Sequence, residues 1–270
     1  MHLDLFHQTA GWVWEPSVIL GIGLLAAGYF CAVGPARRRW KLGDPVPLSR
    51  QLAFYAGCLG LFIALVSPLD ALADDSLFSA HMIQHMLLMF VIPPLWLIGL
   101  PGWLAEVIIP GQTRKYFAML VFPVSAFLIF NVSMWLWHIP TLYDGALANE
   151  SLHVVEHLCF IGAAVIGWWP VLGPTLAGVP KPALEVQAIY LFFNSLSCTA
   201  LAAIITLSSK LLYPFYGIQP QIYGLTPLAD QQLGGVLMWL PGDMILMLFI
   251  TLTLAKLLEM TGQPKTFVGS

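Results

Sequence analysis

The segment His81-Met82-Ile83-Gln84-His85-Met86 combines two imidazoles and two thioethers within a strongly apolar part of the chain. Residues four apart share one face of a helix, so His81 and His85 can reach the same ion. Soft thioethers beside imidazoles favour copper, particularly Cu(I), over hard cations. Met82 and Met86 are therefore additional candidate ligands, although methionine also commonly fills helix cores.

A second histidine pair has the same spacing. His153 and His157 are four residues apart, and Glu156 adds a carboxylate on the face of His153. The string also fits H-x-x-E-H, in which a glutamate acts as general base on a zinc-bound water. A zinc-dependent intramembrane hydrolase is therefore one alternative to a copper site. A b-type haem held by histidines of facing helices is another.

The elements that carry these residues are membrane-spanning helices. Hydrophobic residues make up 59% of the chain and charged residues 9%, with a mean hydropathy of +0.81. Apolar runs reach the length that a helix needs to cross a bilayer, whereas period-2 alternation is missing. The sequence predicts an all-α, polytopic membrane bundle formed by one domain over residues 1–270. A net charge of −3 gives no indication of nucleic-acid binding.

Hydrophobic windows predict seven spans. They cover residues 17–33, 51–66, 78–100, 116–137, 151–172, 183–207 and 231–257. The preceding segment lacks the basic flank and short apolar core of a cleavable signal, so we expect the first span to be retained.

Basic residues set the expected orientation. Ten of the 11 lysines and arginines fall in alternate connections or at the carboxyl terminus, and only Lys210 falls on the opposite side. The positive-inside rule then places the amino terminus outside and the carboxyl terminus inside. With that topology, every histidine of the chain lies towards the outer face. These are His2, His7, His81, His85, His138, His153 and His157.

The last span carries two acidic residues, Asp230 at its outer end and Asp243 near mid-membrane. A carboxylate at the depth of Asp243 is expected to be hydrogen bonded or to line a polar path, with a relay role as the alternative. Partners in neighbouring spans are expected to act as interhelical contacts. The candidates are Asn131, Asn194 and Ser195.

Cysteines and tryptophans are interpreted as structural. Each of the four cysteines stands alone in an apolar segment, as buried core residues do. The tryptophans near predicted interfaces are interpreted as belts. They are Trp12, Trp14, Trp135, Trp137, Trp168 and Trp169.

Five strings together resemble the CtaG family of bacterial cytochrome c oxidase assembly factors, which is associated with caa-type oxidases. In order, they are His81-Met82-Ile83-Gln84-His85-Met86-Leu87-Leu88-Met89 with Pro93-Pro94, Trp137-His138-Ile139-Pro140-Thr141-Leu142-Tyr143-Asp144, Leu152-His153-Val154-Val155-Glu156-His157, Trp168-Trp169-Pro170, and Asp230-Gln231-Gln232-Leu233-Gly234-Gly235.

This resemblance implies a multi-pass protein of the bacterial plasma membrane that handles copper for a haem-copper oxidase and is not an enzyme. Its partners would be oxidase subunits or other copper chaperones, besides the lipid bilayer; oligomeric state is not indicated. Metal ligands would be His81, His85, His138, His153 and His157. Further ligands or supporting residues would be Glu156, Asp230, Tyr143 and Asp144. Whether the copper serves an oxidase or general copper traffic is open.

Overall fold

The structure, a computed structural model, describes residues 11–219 and 224–262. His2 and His7 lie outside this part of the chain, so their predicted position on the side of the other histidines stays a prediction. The described residues form 12 helices and no strand, which confirms the all-α prediction. In chain order the helices are α1 (Pro16–Trp40), α2 (Leu48–Val66), α3 (Pro68–Asp75), α4 (Phe78–Gly99), α5 (Gly102–Ile108), α6 (Gly111–Leu120), α7 (Pro123–Trp137), α8 (Pro140–Leu147), α9 (Glu150–Leu172), α10 (Leu184–Leu207), α11 (Pro214–Gly217) and α12 (Pro227–Gly262).

Six of these helices are long and apolar enough to cross a membrane. They are α1, α2, α4, α9, α10 and α12. The span predicted over residues 116–137 is not one continuous helix, because α6 and α7 meet at an angle of 66°. Pro123 explains the break: it lacks an N–H, and it holds Phe122 in an extended conformation with ψ 136°. Counted as one bent span, α6 and α7 bring the number to seven.

Helix α4 is the central element, packing against α2, α9 and α12. Its middle, Leu87–Val91, forms a π-helical turn just before Pro93. Proline cannot donate to the carbonyl of Met89 four residues earlier, and the indole Nε1 of Trp168 donates to that oxygen at 2.9 Å instead. This hydrogen bond ties α9 to α4 below the histidine pairs.

Short helix α3 folds back against the start of α4. Pro68 leaves the carbonyl of Ala64 without its usual helical donor, and Gln84 Nε2 donates to it at 3.0 Å. The same Nε2 atom lies 2.6 Å from Oδ1 of Asp70. Gln84 therefore fixes α3 beside the face of α4 that carries His81 and His85.

Polar side chains inside the bundle pair between helices. Asp243 of α12 accepts hydrogen bonds from Ser195 Oγ at 2.7 Å and Thr199 Oγ1 at 2.5 Å, both on α10. Asn131 Nδ2 donates to Asn194 Oδ1 at 2.9 Å. These contacts give Asp243 the hydrogen-bonded environment expected of a structural acid.

Some predictions for apolar residues were wrong. Trp12 and Trp14 are exposed, as a belt requires, but Trp137, Trp168 and Trp169 are buried. These three rings lie in the main core.

Among the cysteines, Cys58 and Cys198 are buried as predicted, whereas Cys31 and Cys159 are exposed. The latter two occupy outward faces of α1 and α9, which hydrophobicity alone cannot distinguish from inward faces.

Candidate metal centre

Five histidines from three helix regions converge in one place. His81 and His85 come from one face of α4, and their ring centroids lie 4.1 Å apart. His153 and His157 of α9 are similarly close, at 4.2 Å. The two pairs face each other, with 5.3 Å between the rings of His81 and His153. The helical spacing predicted each pair, and the packing of α9 on α4 brings the pairs together.

His138, which ends α7, completes the group, with its ring centroid 5.6 Å from that of His85. The chain turns directly after it, at Ile139-Pro140, to begin α8. All of the residues His81, His85, His138 and His157 are buried.

Two overlapping sets of candidate ligands are present. His81, His85 and His157 offer ring nitrogens within 4.8 Å of one another, and so do the ligand atoms of Asp74, His81 and His153. A tetrahedral ion with bonds of about 2.0–2.1 Å needs nitrogens about 3.4 Å apart. Small side-chain rotations would therefore let either set hold one ion, and His81 belongs to both.

Hydrogen bonds determine which nitrogen of the His81 ring carries the hydrogen. Tyr216 donates its only hydroxyl hydrogen to the carbonyl of Ala73 at 2.6 Å. Its oxygen can then only accept from Nδ1–H of His81, 3.1 Å away. Nε2 of His81 consequently carries a free lone pair, which is the form that binds a metal.

His81 Nε2 lies 2.6 Å from Nε2 of His85. Because Nε2 of His81 has no hydrogen, Nε2 of His85 donates in this contact. Nδ1 of His85 is then an acceptor, and it has no hydrogen-bond partner. Binding one ion through both Nε2 atoms would require that proton to leave and the rings to separate by under about 1 Å.

The ring of His138 is fixed in the same way. Its Nδ1 lies 2.7 Å from the carbonyl of Met134, which only accepts, so Nδ1 carries the hydrogen. Nε2 of His138 then carries a free lone pair, and this buried atom has no hydrogen-bond partner. Nε2 atoms of His153 and His157 also lack partners. Buried polar atoms in this state are costly, and several in one cluster indicate a ligand.

Two carboxylates border the histidines. Glu156 is 1% exposed, and its Oε1 lies 3.8 Å from Nε2 of His85. Asp74 Oδ2 lies 3.6 Å from Nδ1 of His153, and its side chain keeps 36% of its exposure. Burial raises the pKa of Asp74 to about 8, with a further contribution from the charges of Asp70 and Asp75.

Comparison with known proteins identifies the family. A family profile described as cytochrome c oxidase caa3 assembly factor matches residues 27–259, which is most of the chain. The chain belongs to the caa3 assembly factor family.

Three relatives of this chain are uncharacterized proteins of mycobacteria. Those of Mycobacterium bovis and Mycobacterium tuberculosis are each 26% identical over 268 residues, covering 88% of this chain. That of Mycobacterium leprae is 25% identical and covers 90%. The chain spans only 39% of the length of each of these relatives. No solved structure matches it.

Asp230, which was predicted as a further ligand or supporting residue, belongs to neither candidate ligand set. Its two carboxylate oxygens accept from the main-chain N–H groups of Phe78, at 2.7 Å, and Ser79, at 3.3 Å. Asp230 thus caps the amino terminus of α4 from α12. Free N–H groups and the helix dipole at that end favour a carboxylate.

Met82 and Met86 turn away from the histidines as well. Both lie in the main core, where Met82 packs near Gly234 and Met86 near Gly242 of α12. The rotation of 100° per residue carries them off the face of His81 and His85. Their role is packing, and the thioether argument for copper loses its structural support.

Tyr143 and Asp144, which are neighbours in the sequence, differ in their relation to the histidine cluster. The ring of Tyr143 is buried with its centroid 5.2 Å from that of His81, so it forms part of the wall of the cluster. Asp144 belongs to neither candidate ligand set, and burial raises the pKa of its carboxyl group against a smaller lowering effect of the backbone of Phe215.

Sequence reasoning missed Asp74, Tyr216 and Gln84. Asp74 lies between two predicted spans, where no spacing relates it to the histidines, and Tyr216 lies 135 residues from the histidine that it orients. A local sequence signal existed only for Gln84, a polar amide one residue before His85 in a strongly apolar segment. In the structure this amide is buried.

Proposed function

We propose that this chain is a membrane-embedded assembly factor that binds copper at its histidine cluster and delivers it to a nascent haem-copper oxidase. The observation that carries the proposal is the buried set His81, His85 and His157, whose ring nitrogens lie within 4.8 Å of one another. In this proposal copper is cargo rather than a resident cofactor. The partner would be an oxidase subunit or another copper chaperone.

The surroundings favour a single ion over haem. Three buried histidines offer ring nitrogens within 4.8 Å of one another, a set that suits one ion rather than the two axial positions of a haem. Imidazole ligands suit copper, zinc, iron and nickel alike. Because both methionines pack elsewhere, preference for copper rests on the family, whose description names a cytochrome c oxidase.

Delivery needs ligand exchange, and the chain offers spare ligands for it. His138 and His153 have lone pairs without partners beside the three central histidines. An ion could therefore change ligands one at a time without losing coordination. The positive-inside rule predicts the cluster on the outer side of a bacterial plasma membrane, where the incoming copper and the oxidase centre would meet.

Maturation of the oxidase in cells tests this proposal. A strain without the gene is complemented with the wild-type chain or with His85→Ala, and copper per haem is measured in the purified oxidase. We expect wild type to restore the copper content and His85→Ala to leave the oxidase deficient in copper. Cys159→Ser is the matched control, because Cys159 is exposed on α9, outside the cluster. Full copper loading of the oxidase with His85→Ala would contradict the proposal.

A zinc hydrolase is the second candidate function, and Glu156 is the residue that favours it. A general base must lie close to a metal-bound water, and the buried carboxylate of Glu156 lies 3.8 Å from His85. Glu156→Gln separates the two functions. An assembly factor should keep its copper binding and its support of the oxidase. Loss of oxidase maturation with undiminished copper binding would favour catalysis by Glu156.

A further inference from the structure

A cavity of about 340 Å³ opens beside the histidine cluster, between α1, α2, α3 and α9. Helices α1 and α2 contribute apolar residues and glycine to its wall, α3 contributes two aspartates, and α9 contributes both apolar and polar residues. The ionisable residues along it are Glu15, Asp70, Asp74, Glu150, His153 and His157. None of its lining residues within the described part of the chain is lysine or arginine. Four carboxyl groups therefore face one space, and each can bind a cation in its deprotonated form.

The inner end of this cavity is formed by histidines of the metal centre. His157 is buried, lines the cavity and has no hydrogen-bond partner at Nε2. His153 also lines it and also has a free Nε2. Both Nε2 atoms are buried behind the surface of these lining side chains, so the cavity borders two ring nitrogens that have no hydrogen-bond partner.

We infer that this cavity is the route by which a copper cation reaches the buried histidines, and that Asp74 with His153 and His81 forms the first subsite where it binds. The inference rests on the proposed function. Its geometric basis is that the ligand atoms of these three residues lie within 4.8 Å of one another, while the deeper set uses His81 again. A cation held by the outer set therefore exchanges Asp74 and His153 for His85 and His157 while His81 stays bound.

The side chains fit this order. Asp74 keeps 36% of its exposure, so it is accessible from the cavity, whereas His81 is fully buried. A cation that reaches the outer subsite displaces the proton of Asp74, which leaves to the cavity, and gains an ionised oxygen ligand. Imidazoles alone form the inner subsite, where a softer environment retains copper.

Loading kinetics test the route. The full chain in detergent is mixed with Cu(I) under anaerobic conditions, and the copper bound is followed in time and at equilibrium. We expect Asp74→Asn to load at least roughly tenfold more slowly, since an amide has no proton that the entering cation can displace to gain an ionised oxygen ligand, and attraction by an ionised group raises on-rates by that order. Equilibrium occupancy of the inner set should be close to that of wild type. Asp75→Asn, a neighbouring exposed carboxylate outside the lining, should load at the wild-type rate.

A steric pair of variants tests the same route without changing charge. Gly21 lines the cavity, and a Cβ added to it meets nothing within 4 Å. Gly21→Phe should therefore fill the cavity without disturbing packing and should slow loading. Gly23 also has open space around it but is not part of the lining, so Gly23→Phe is the control.

The outcomes separate the route from the proposed function. If Asp74→Asn and Gly21→Phe both load at the wild-type rate while wild type binds Cu(I), the route is wrong and the copper site stands. If wild type takes up no Cu(I) at all, the proposed function fails. Slow loading with normal equilibrium occupancy in both variants, and in neither control, supports the route.

Discussion

Removing Asp230 should destabilise the protein without removing its metal. The carboxylate accepts two main-chain hydrogen bonds at the start of α4, from Phe78 and Ser79, and is 3% exposed. Hydrogen bonds to charged groups contribute about 1.5–3 kcal/mol each, and the contact at 3.3 Å falls at the weak end. We therefore expect Asp230→Ala to lower the free energy of unfolding by about 3–4 kcal/mol, because both N–H groups lose their acceptor.

Asp230→Asn gives an intermediate case. The amide oxygen can still accept one hydrogen bond, but the charge is lost and the NH₂ group faces N–H donors. A loss of about 1–2 kcal/mol is expected. Thermal unfolding in one detergent, with equilibrium copper binding on the same preparations, measures both effects. Unchanged stability together with lost copper binding in Asp230→Ala would refute the capping role and make Asp230 a ligand.

Three further perturbations follow from contacts around the site. Gln84→Leu leaves the carbonyl of Ala64 unpaired, which should cost about 1–3 kcal/mol of unfolding free energy in denaturation experiments. Burial raises the pKa of Asp70 to about 7. The unfolded value is about 3.9, so stability should fall as pH rises between the two values, and Asp70→Asn should remove this part of the pH dependence of thermal unfolding. Finally, a Cβ on Gly99 would lie 2.9 Å from backbone atoms of α2. Gly99→Ala should therefore lose about 1–3 kcal/mol in the same assay, whereas Gly21→Ala, which meets nothing, should not.

Local sequence patterns predicted the helices and each histidine pair. Apolar runs of membrane-spanning length gave six of the helices, and four-residue spacing placed each pair of histidines on one helical face. The break at Pro123 was also encoded locally, in a proline that ends the preceding turn. Hydropathy concealed this break because both halves of the segment are apolar.

Long-range contacts could not be predicted in the same way. From the sequence alone, an aspartate such as Asp230 could be a metal ligand. Only the hydrogen bonds that it accepts from main-chain N–H groups 152 and 151 residues away show that it caps a helix. Asp74 reaches the histidines because Gln84 holds α3 against α4, a contact between side chain and backbone that no periodicity reveals. The buried indole of Trp168 likewise donates to a carbonyl of another helix, which lacks its usual helical donor because of Pro93.

The most direct test of the copper site is an anaerobic Cu(I) titration of the purified chain against a competing chelator. Wild type should bind Cu(I) saturably. The double variant His81→Ala and His85→Ala should lose this binding, because it removes two of the three buried ligands that lie within 4.8 Å of one another. Cu(I) binding of the same stoichiometry and affinity in the double variant would contradict the account.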